Sequence, residues 1–77
     1  MIFEKISEIL AEQFGLDVES ITMDTTFEGD LDADSVDIVE VSMALEDEFG
    51  IGEMSEEDLA KILTVGDLVR YVQNKVD

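Results

Sequence analysis

Hydrophobic residues recur every three or four positions in three long segments of this chain, which is the spacing of one face of an α-helix. The first segment is Ile2–Phe14, followed by a glycine of the kind that often ends a helix. The second covers residues 36–49, also before a glycine, and the third is Val65–Val76. A short helix at residues 56–62 fits between them. The pattern predicts an all-α fold, a four-helix bundle with a short third helix.

Three of the predicted helix starts share a capping pattern. In each, a small polar residue precedes an acidic residue by three positions, so its side chain can accept a hydrogen bond from an unpaired backbone N–H. The acidic residue also favours the positive end of the helix dipole. The pairs are Asp34 with Asp37, Ser55 with Asp58, and Thr64 with Asp67.

A segment of twenty residues, 15–34, separates the first two helices. Structureless loops of this length are uncommon in a small domain. This one contains six large apolar residues, so we expect an ordered loop packed across the helices. A turn of helix inside it, or a strand at residues 20–23, are the alternatives for local structure. The apolar residues are Leu16, Val18, Ile21, Met23, Phe27 and Leu31.

The second helix carries two apolar stripes at about 100° per residue. The expected core stripe is Ile38, Val41, Leu45 and Phe49. A second stripe, formed by Val36, Val39 and Met43, lies among the acids Glu40, Glu46 and Asp47. Either the bundle also buries the second stripe, or it is an exposed apolar strip that docks a partner, since one stripe is enough for packing in a bundle.

The charge of the chain restricts its partners. Twenty-one acids and four bases give the 77 residues a net charge of −17. Phosphate groups would be repelled, so nucleic acid and anionic membrane are disfavoured, and a basic protein surface is favoured. The chain has no cysteine, no apolar run that could span a bilayer and no visible signal peptide. We expect one domain, residues 1–77, in the cytoplasm.

One serine, Ser35, lies among aspartates at the start of the second helix. The chain has no histidine to activate it, so nucleophilic catalysis is disfavoured and we do not expect an enzyme. A plain helix cap is one interpretation. Asp30, Asp32 and Asp34 alternate like calcium ligands, but Ser35 and Val41 occupy the positions of the required glycine and glutamate. No dedicated metal site is predicted, and an acidic adaptor or weak calcium-binding module remains an alternative.

Residues 30–51, DLDADSVDIVEVSMALEDEFGI, resemble the signature region of acyl carrier proteins of the free-standing, fatty-acid-synthesis type. The first helix, the loop and the closing ILTVGDLVRYV are also similar, so the resemblance covers the whole chain. It implies that Ser35 receives 4′-phosphopantetheine from coenzyme A, through a separate transferase (holo-acyl-carrier-protein synthase), with help from Asp34. The thiol of that group then carries the growing acyl chain as a thioester.

The resemblance also implies two further sets of residues in a monomeric carrier. One set would contact fatty-acid-synthesis enzymes through their basic docking patches: Val36, Val39, Glu40, Met43, Glu46 and Asp47. The other would line the space for the acyl chain between the helices: Ile38, Val41, Leu45, Phe49, Leu59, Ile62 and Leu68.

The chain departs from the family pattern in three places. Asp32 stands where a glycine is usual, and Val36 replaces the usual leucine after the serine. The segment IGEMSEED lacks the proline expected near the third helix. The departures at Asp32 and Val36 bear on partner preference and leave the attachment chemistry intact. The alternative is a carrier that serves another pathway, such as polyketide or peptide synthesis or another specialised acyl transfer.

Overall fold

Four helices make up the framework of the computed structural model, which describes residues 2–76. They are α1 (Ile2–Phe14), α2 (Ser35–Phe49), α3 (Glu56–Lys61) and α4 (Val65–Val76). The predicted all-α class is confirmed. Helix α2 begins one residue earlier than predicted, and α3 ends one residue earlier.

The predicted caps of α3 and α4 are both formed. The Ser55 hydroxyl accepts a hydrogen bond from the N–H of Asp58 at 3.1 Å. At the next helix, the Thr64 hydroxyl accepts from the N–H of Asp67 at 3.1 Å, and the Asp67 carboxylate accepts from the N–H of Thr64 at 3.2 Å. These bonds satisfy N–H groups that have no partner inside the helix, and so they fix where each helix begins.

The core contains side chains from three helices and from the long loop. Helix α3 contributes no fully buried residue, and Leu59 on it is only half-buried. This short helix therefore covers the core rather than forming its centre. The buried apolar residues are Ile6 and Leu10 of α1, Ile21, Phe27 and Leu31 of the loop, Val41 and Leu45 of α2, Met54 before α3, and Val65, Leu68 and Val72 of α4.

The loop between α1 and α2 is packed, as predicted, although only three of its six large apolar side chains are buried. Ile21, Phe27 and Leu31 are 9% exposed or less. A single 3-10 turn forms at Val18–Ser20, which is the predicted alternative of a helical turn. The prediction is wrong for the other three apolar residues. Leu16, Val18 and Met23 are at least 40% exposed, whereas Ile21, which directly follows the turn, is buried.

Three backbone hydrogen bonds join this loop to the connection between α3 and α4 and to the first two residues of α4. The N–H of Phe27 donates to the carbonyl of Leu63 at 3.1 Å. The N–H groups of Val65 and Gly66 donate to the carbonyls of Thr25 and Met23 at 2.9 and 2.8 Å. A Cβ atom at Gly66 would lie only 3.0 Å from the Met23 carbonyl oxygen, so the close approach favours glycine.

Within residues 2–76, no helix is long and apolar enough to cross a bilayer.

Candidate functional site

Ser35 is the first residue of α2, and its side chain is exposed. The helix cap is the preceding residue, Asp34. An Asp34 carboxylate oxygen accepts from the N–H of Asp37 at 3.0 Å, and the Asp37 carboxylate accepts from the N–H of Asp34 at 3.2 Å. The Ser35 hydroxyl makes no hydrogen bond with any residue in the described range 2–76. The interpretation of Ser35 as a plain helix cap is therefore wrong.

The position of Ser35 suits an attached anion. The first N–H groups of a helix lack partners within it, and the helix dipole is positive at this end. A negative group on the serine oxygen would be stabilised by about 0.3–1 kcal/mol when exposed. The hydroxyl is thus free, accessible and placed where a phosphodiester is tolerated.

The approach to Ser35 contains a strained residue. Asp32 has a φ angle of 51°, which makes it the one non-glycine residue with positive φ in the described part of the chain. Glycine adopts this left-handed conformation without cost, whereas aspartate tolerates it only better than most residues. The departure from the family's usual glycine, noted in the sequence, therefore falls on a position whose backbone favours glycine.

A groove of about 790 Å³ adjoins Ser35. Residues 26–29 of the loop line one part of it, and Glu56, Leu59 and Ala60 of α3 line another. Ser35 and Asp34 lie at the α2 margin. Leu63 also borders the groove and is 65% exposed. Helical periodicity does not identify Leu63, because it lies between two helices and belongs to neither hydrophobic pattern.

A second, interior cavity of about 20 Å³ lies behind this groove. The groove and the cavity meet at four residues that line both of them, Phe27, Ile38, Leu59 and Ile62. Six of the seven predicted acyl-lining residues are found around the interior cavity, and Phe49 is not among them. The residues that line it are Phe27, Ile38, Val41, Ser42, Leu45, Met54, Leu59, Ile62 and Leu68.

The second apolar stripe of α2 is exposed. Val36, Val39 and Met43 are 63%, 48% and 60% accessible. On the opposite side, Val41 and Leu45 are buried. The alternative in which the bundle buries both stripes is therefore wrong. An apolar strip with acids beside it remains on the surface of the same helix that begins with Ser35.

The acids of α2 differ in how they are held. The Glu40 carboxylate accepts a hydrogen bond from the Gln13 side chain of α1 at 2.6 Å. The half-buried Glu46 carboxylate accepts from the N–H of Met54 at 3.0 Å, so it also fixes the connection to α3. Asp47 is exposed. The sequence pattern did not reveal these two contacts, because both partners lie outside the helix.

The three alternating aspartates do not form a common site. Asp30 accepts from the N–H of Thr26 at 2.9 Å, and Asp34 caps α2. In the part of the chain that the structure covers, no three acidic side chains are grouped so that they could hold a metal ion.

The side chains with shifted pKa values lie on α3 and α4 rather than beside Ser35. Hydrogen bonding by Ser55, and then by Tyr71, lowers the pKa of Asp58. Burial raises the pKa of Tyr71, and its hydrogen bond to Asp58 at 3.1 Å adds to the effect. The backbone N–H of Leu63, followed by Arg70, lowers the pKa of Asp67. These shifts arise from contacts that position α3 and α4.

Comparison with known proteins agrees with this geometry. Residues 4–72 match the family model described as a phosphopantetheine attachment site, and the chain belongs to this family of carrier proteins. It is 51% identical over 73 residues to the acyl carrier protein of Clostridium acetobutylicum, covering 95% of this chain and 94% of that protein. The solved structure of the acyl carrier protein from Enterococcus faecalis superposes with a TM-score of 0.80 at 36% identity, over 96% and 92% of the two chains.

These comparisons confirm the resemblance inferred from the sequence. The cofactor is the phosphopantetheine group, for which this family provides the attachment site. The protein is an acyl carrier homologue, and such carriers interact with the transferase that modifies them and the synthases that use them.

Proposed function

We propose that the protein carries the growing acyl chain in fatty acid biosynthesis, as a thioester on 4′-phosphopantetheine attached to Ser35. The observation that carries this proposal is the Ser35 hydroxyl, which is exposed and unbonded beside the groove while Asp34 serves as the cap. Coenzyme A would be the donor and a holo-acyl-carrier-protein synthase the transferase. Residues 1–77 act as one monomeric carrier domain in the cytoplasm.

The residues present fit the group. Its terminal thiol supplies the thioester chemistry, which this chain of 77 residues without cysteine cannot supply itself. The Ser35 oxygen provides the attachment atom, and the start of α2 stabilises the negative charge. The groove offers space along α3. Asp34 uses one carboxylate oxygen for the cap, and the other is available to assist the transferase.

Partner enzymes dock on the exposed face of α2. The apolar strip of Val36, Val39 and Met43 supplies contact area, and the acids Glu40, Glu46 and Asp47 attract basic patches. The net charge of −17 extends this attraction over distance and speeds encounter. The protein is itself a substrate passed between these enzymes and does not catalyse the steps.

The acyl chain is held in the interior cavity after the cavity expands. Its present volume of about 20 Å³ is far too small for a chain, so Leu59 and Ile62 on the α3 side must move. Ile38, Val41, Leu45 and Leu68 form the rest of the predicted lining. We retain Phe49 only as a packing residue next to this set, since it does not contact the cavity.

The attachment site is tested by intact mass spectrometry after incubation with coenzyme A, magnesium and a broad-specificity phosphopantetheinyl transferase. We expect a gain of one phosphopantetheine that fragmentation maps to Ser35. Ser35→Ala should fold, as judged by circular dichroism, and gain nothing. Ser20→Ala, which changes another exposed serine outside the groove, is the matched control and should still be modified. Modification of folded Ser35→Ala, or none of the native protein by two different transferases, would overturn the proposal.

A further inference from the structure

Ser42 is a buried polar residue in an apolar cavity. It lines the interior cavity, and the eight other lining residues in the described chain all carry apolar side chains. Ser42 is 5% exposed, and its hydroxyl donates to the backbone carbonyl of Val39 at 2.7 Å. The proton of this hydroxyl is therefore already used, so the oxygen faces its surroundings only as an acceptor.

The cavity does not supply a donor for that oxygen. A cavity needs about 10–15 Å³ to admit a water molecule, which then makes about three hydrogen bonds. At about 20 Å³ the interior cavity is large enough for one water, but its lining offers one polar side chain. Water would lose most of its hydrogen bonds there, so the cavity excludes it. The Ser42 oxygen is left as an acceptor without a donor.

Ser42 lies just inside the boundary between the groove and the interior cavity. Ile38 lines both spaces, and Ser42 follows it by four residues on the same face of α2. Four residues correspond to about 6 Å along a helix. A chain that enters from the Ser35 groove therefore passes Ser42 with the part close to its thioester rather than with its far end.

We propose that Ser42 makes the interior cavity selective for acyl chains that carry a hydroxyl group close to the thioester. Such a chain donates its O–H to the Ser42 oxygen while its hydrocarbon contacts the apolar lining. A saturated chain of the same length fills the space and leaves the acceptor unpaired. The inference rests on the proposed function, because it assumes that the acyl chain enters this cavity.

The test loads the native protein with either decanoyl- or 3-hydroxydecanoyl-4′-phosphopantetheine, transferred from the corresponding coenzyme A thioester with release of 3′,5′-ADP. The rate of thioester cleavage by hydroxylamine is measured and divided by the rate of the same thioester free in solution, which cancels differences in intrinsic reactivity. The resulting protection factor reports how much of the chain is buried. We expect the ratio of the two protection factors, hydroxylated over saturated, to fall about two- to tenfold in Ser42→Ala, the effect of one net hydrogen bond.

Two variants separate this effect from general loss of packing. Ser42→Thr keeps the hydroxyl and should keep the native ratio. Ser7→Ala removes a hydroxyl that is equally buried, at 2% exposure, and equally bonded, to the Phe3 carbonyl at 2.7 Å, but does not line the cavity. It should leave the ratio unchanged. If Ser42→Ala fails to fold, Ser42→Val removes the hydroxyl while filling the site and replaces it in the test.

The outcomes distinguish the two proposals. An unchanged ratio in folded Ser42→Ala, with both chains protected, would overturn the role of Ser42 and leave the acyl cavity standing. If neither the hydroxylated nor the saturated chain is protected in the native protein, both the role of Ser42 and the assignment of the cavity are overturned. Failure to load Ser35, seen in the mass spectrum before hydroxylamine is added, would overturn the carrier proposal itself.

Discussion

At the scale of single residues, Asp34 and Ser35 have separate tasks although both are common at helix starts. Asp34 makes the two hydrogen bonds of the capping box, and this leaves the Ser35 hydroxyl unused. The sequence alone could not decide between them, because either side chain can cap a helix. The proposal that Ser35 is the attachment residue rests on the resemblance, and the exposed, unbonded hydroxyl in the structure supports it.

Asp32 gives a prediction at this scale. Its φ angle of 51° costs an aspartate more than a glycine. We therefore expect Asp32→Gly to raise the free energy of unfolding by up to about 1 kcal/mol. Part of the relieved strain is offset, because glycine increases the conformational entropy of the unfolded chain. Urea denaturation measures the change in the free energy of unfolding. Asp32→Asn removes the same charge but keeps a Cβ atom, and a gain as large as that of glycine would show that charge, not backbone strain, is the cause.

At the scale of elements, α2 places its two apolar stripes in different environments. Helical periodicity identified both stripes but could not show which was exposed, since exposure depends on where α1, α4 and the loop pack. The helix ends were predicted within one residue because capping residues mark them. The course of residues 15–34 could not be predicted, because it depends on bonds to residues about forty positions away.

The exposed stripe gives a prediction for partner binding. Val39→Asp and Met43→Asp should each lower the kcat/KM of transferase or synthase reactions at least tenfold, since a buried charge at a docking interface is costly. Both should change the free energy of unfolding by less than about 0.5 kcal/mol, as surface substitutions usually do. Leu45→Ala, on the buried stripe, is the contrasting variant and should cost about 2–5 kcal/mol. Unfolding by either aspartate variant would contradict the division of faces.

The start of α4 gives a prediction for pH. The Asp67 carboxylate accepts from the N–H groups of Leu63 and Thr64, and its pKa lies below the ordinary value of 3.8. A lowered pKa in the folded state means that the stabilisation is complete above that ordinary value and is lost as pH falls through the lowered one. Asp67→Ala should therefore cost about 1–2 kcal/mol at pH 7.

The same difference should shrink when stability is measured by urea denaturation at progressively lower pH below 4. Asp47→Ala is the matched control, because this exposed carboxylate has no hydrogen bond within residues 2–76. A cost for Asp67→Ala that does not depend on pH would show that the carboxylate charge is not what stabilises the start of α4.

At the scale of the whole molecule, charge opposes folding. Twenty-one acids in a body with extents of 27 × 25 × 19 Å repel one another, and two salt bridges are present among the described residues. Raising sodium chloride from 10 to 200 mM shortens the screening length from about 30 Å to below 10 Å. We expect Tm to rise, by about 4–8 °C for each kcal/mol gained by a domain of this size.

Calorimetry measures this rise in Tm. The double variant Asp47→Lys with Glu48→Lys lowers the net negative charge by four and should show a smaller rise. An equal rise in the native protein and the double variant would mean that salt acts by another route than screening of self-repulsion.

The hydrogen bonds that join residues 23–27 to residues 63–66 have a consequence for how the protein is assembled. Each closes a stretch of chain that contains all of α2 and α3. The entropy of closing such a long stretch is repaid only when both helices are already packed, so the loop margin of the groove forms late in folding. A fragment ending before α4 would contain every residue that lines the groove, yet it would lack the two bonds from Val65 and Gly66 that hold the loop margin of the groove in place. The shape of the groove beside Ser35 therefore depends on the completed fold and is not reproduced by a peptide of the same residues.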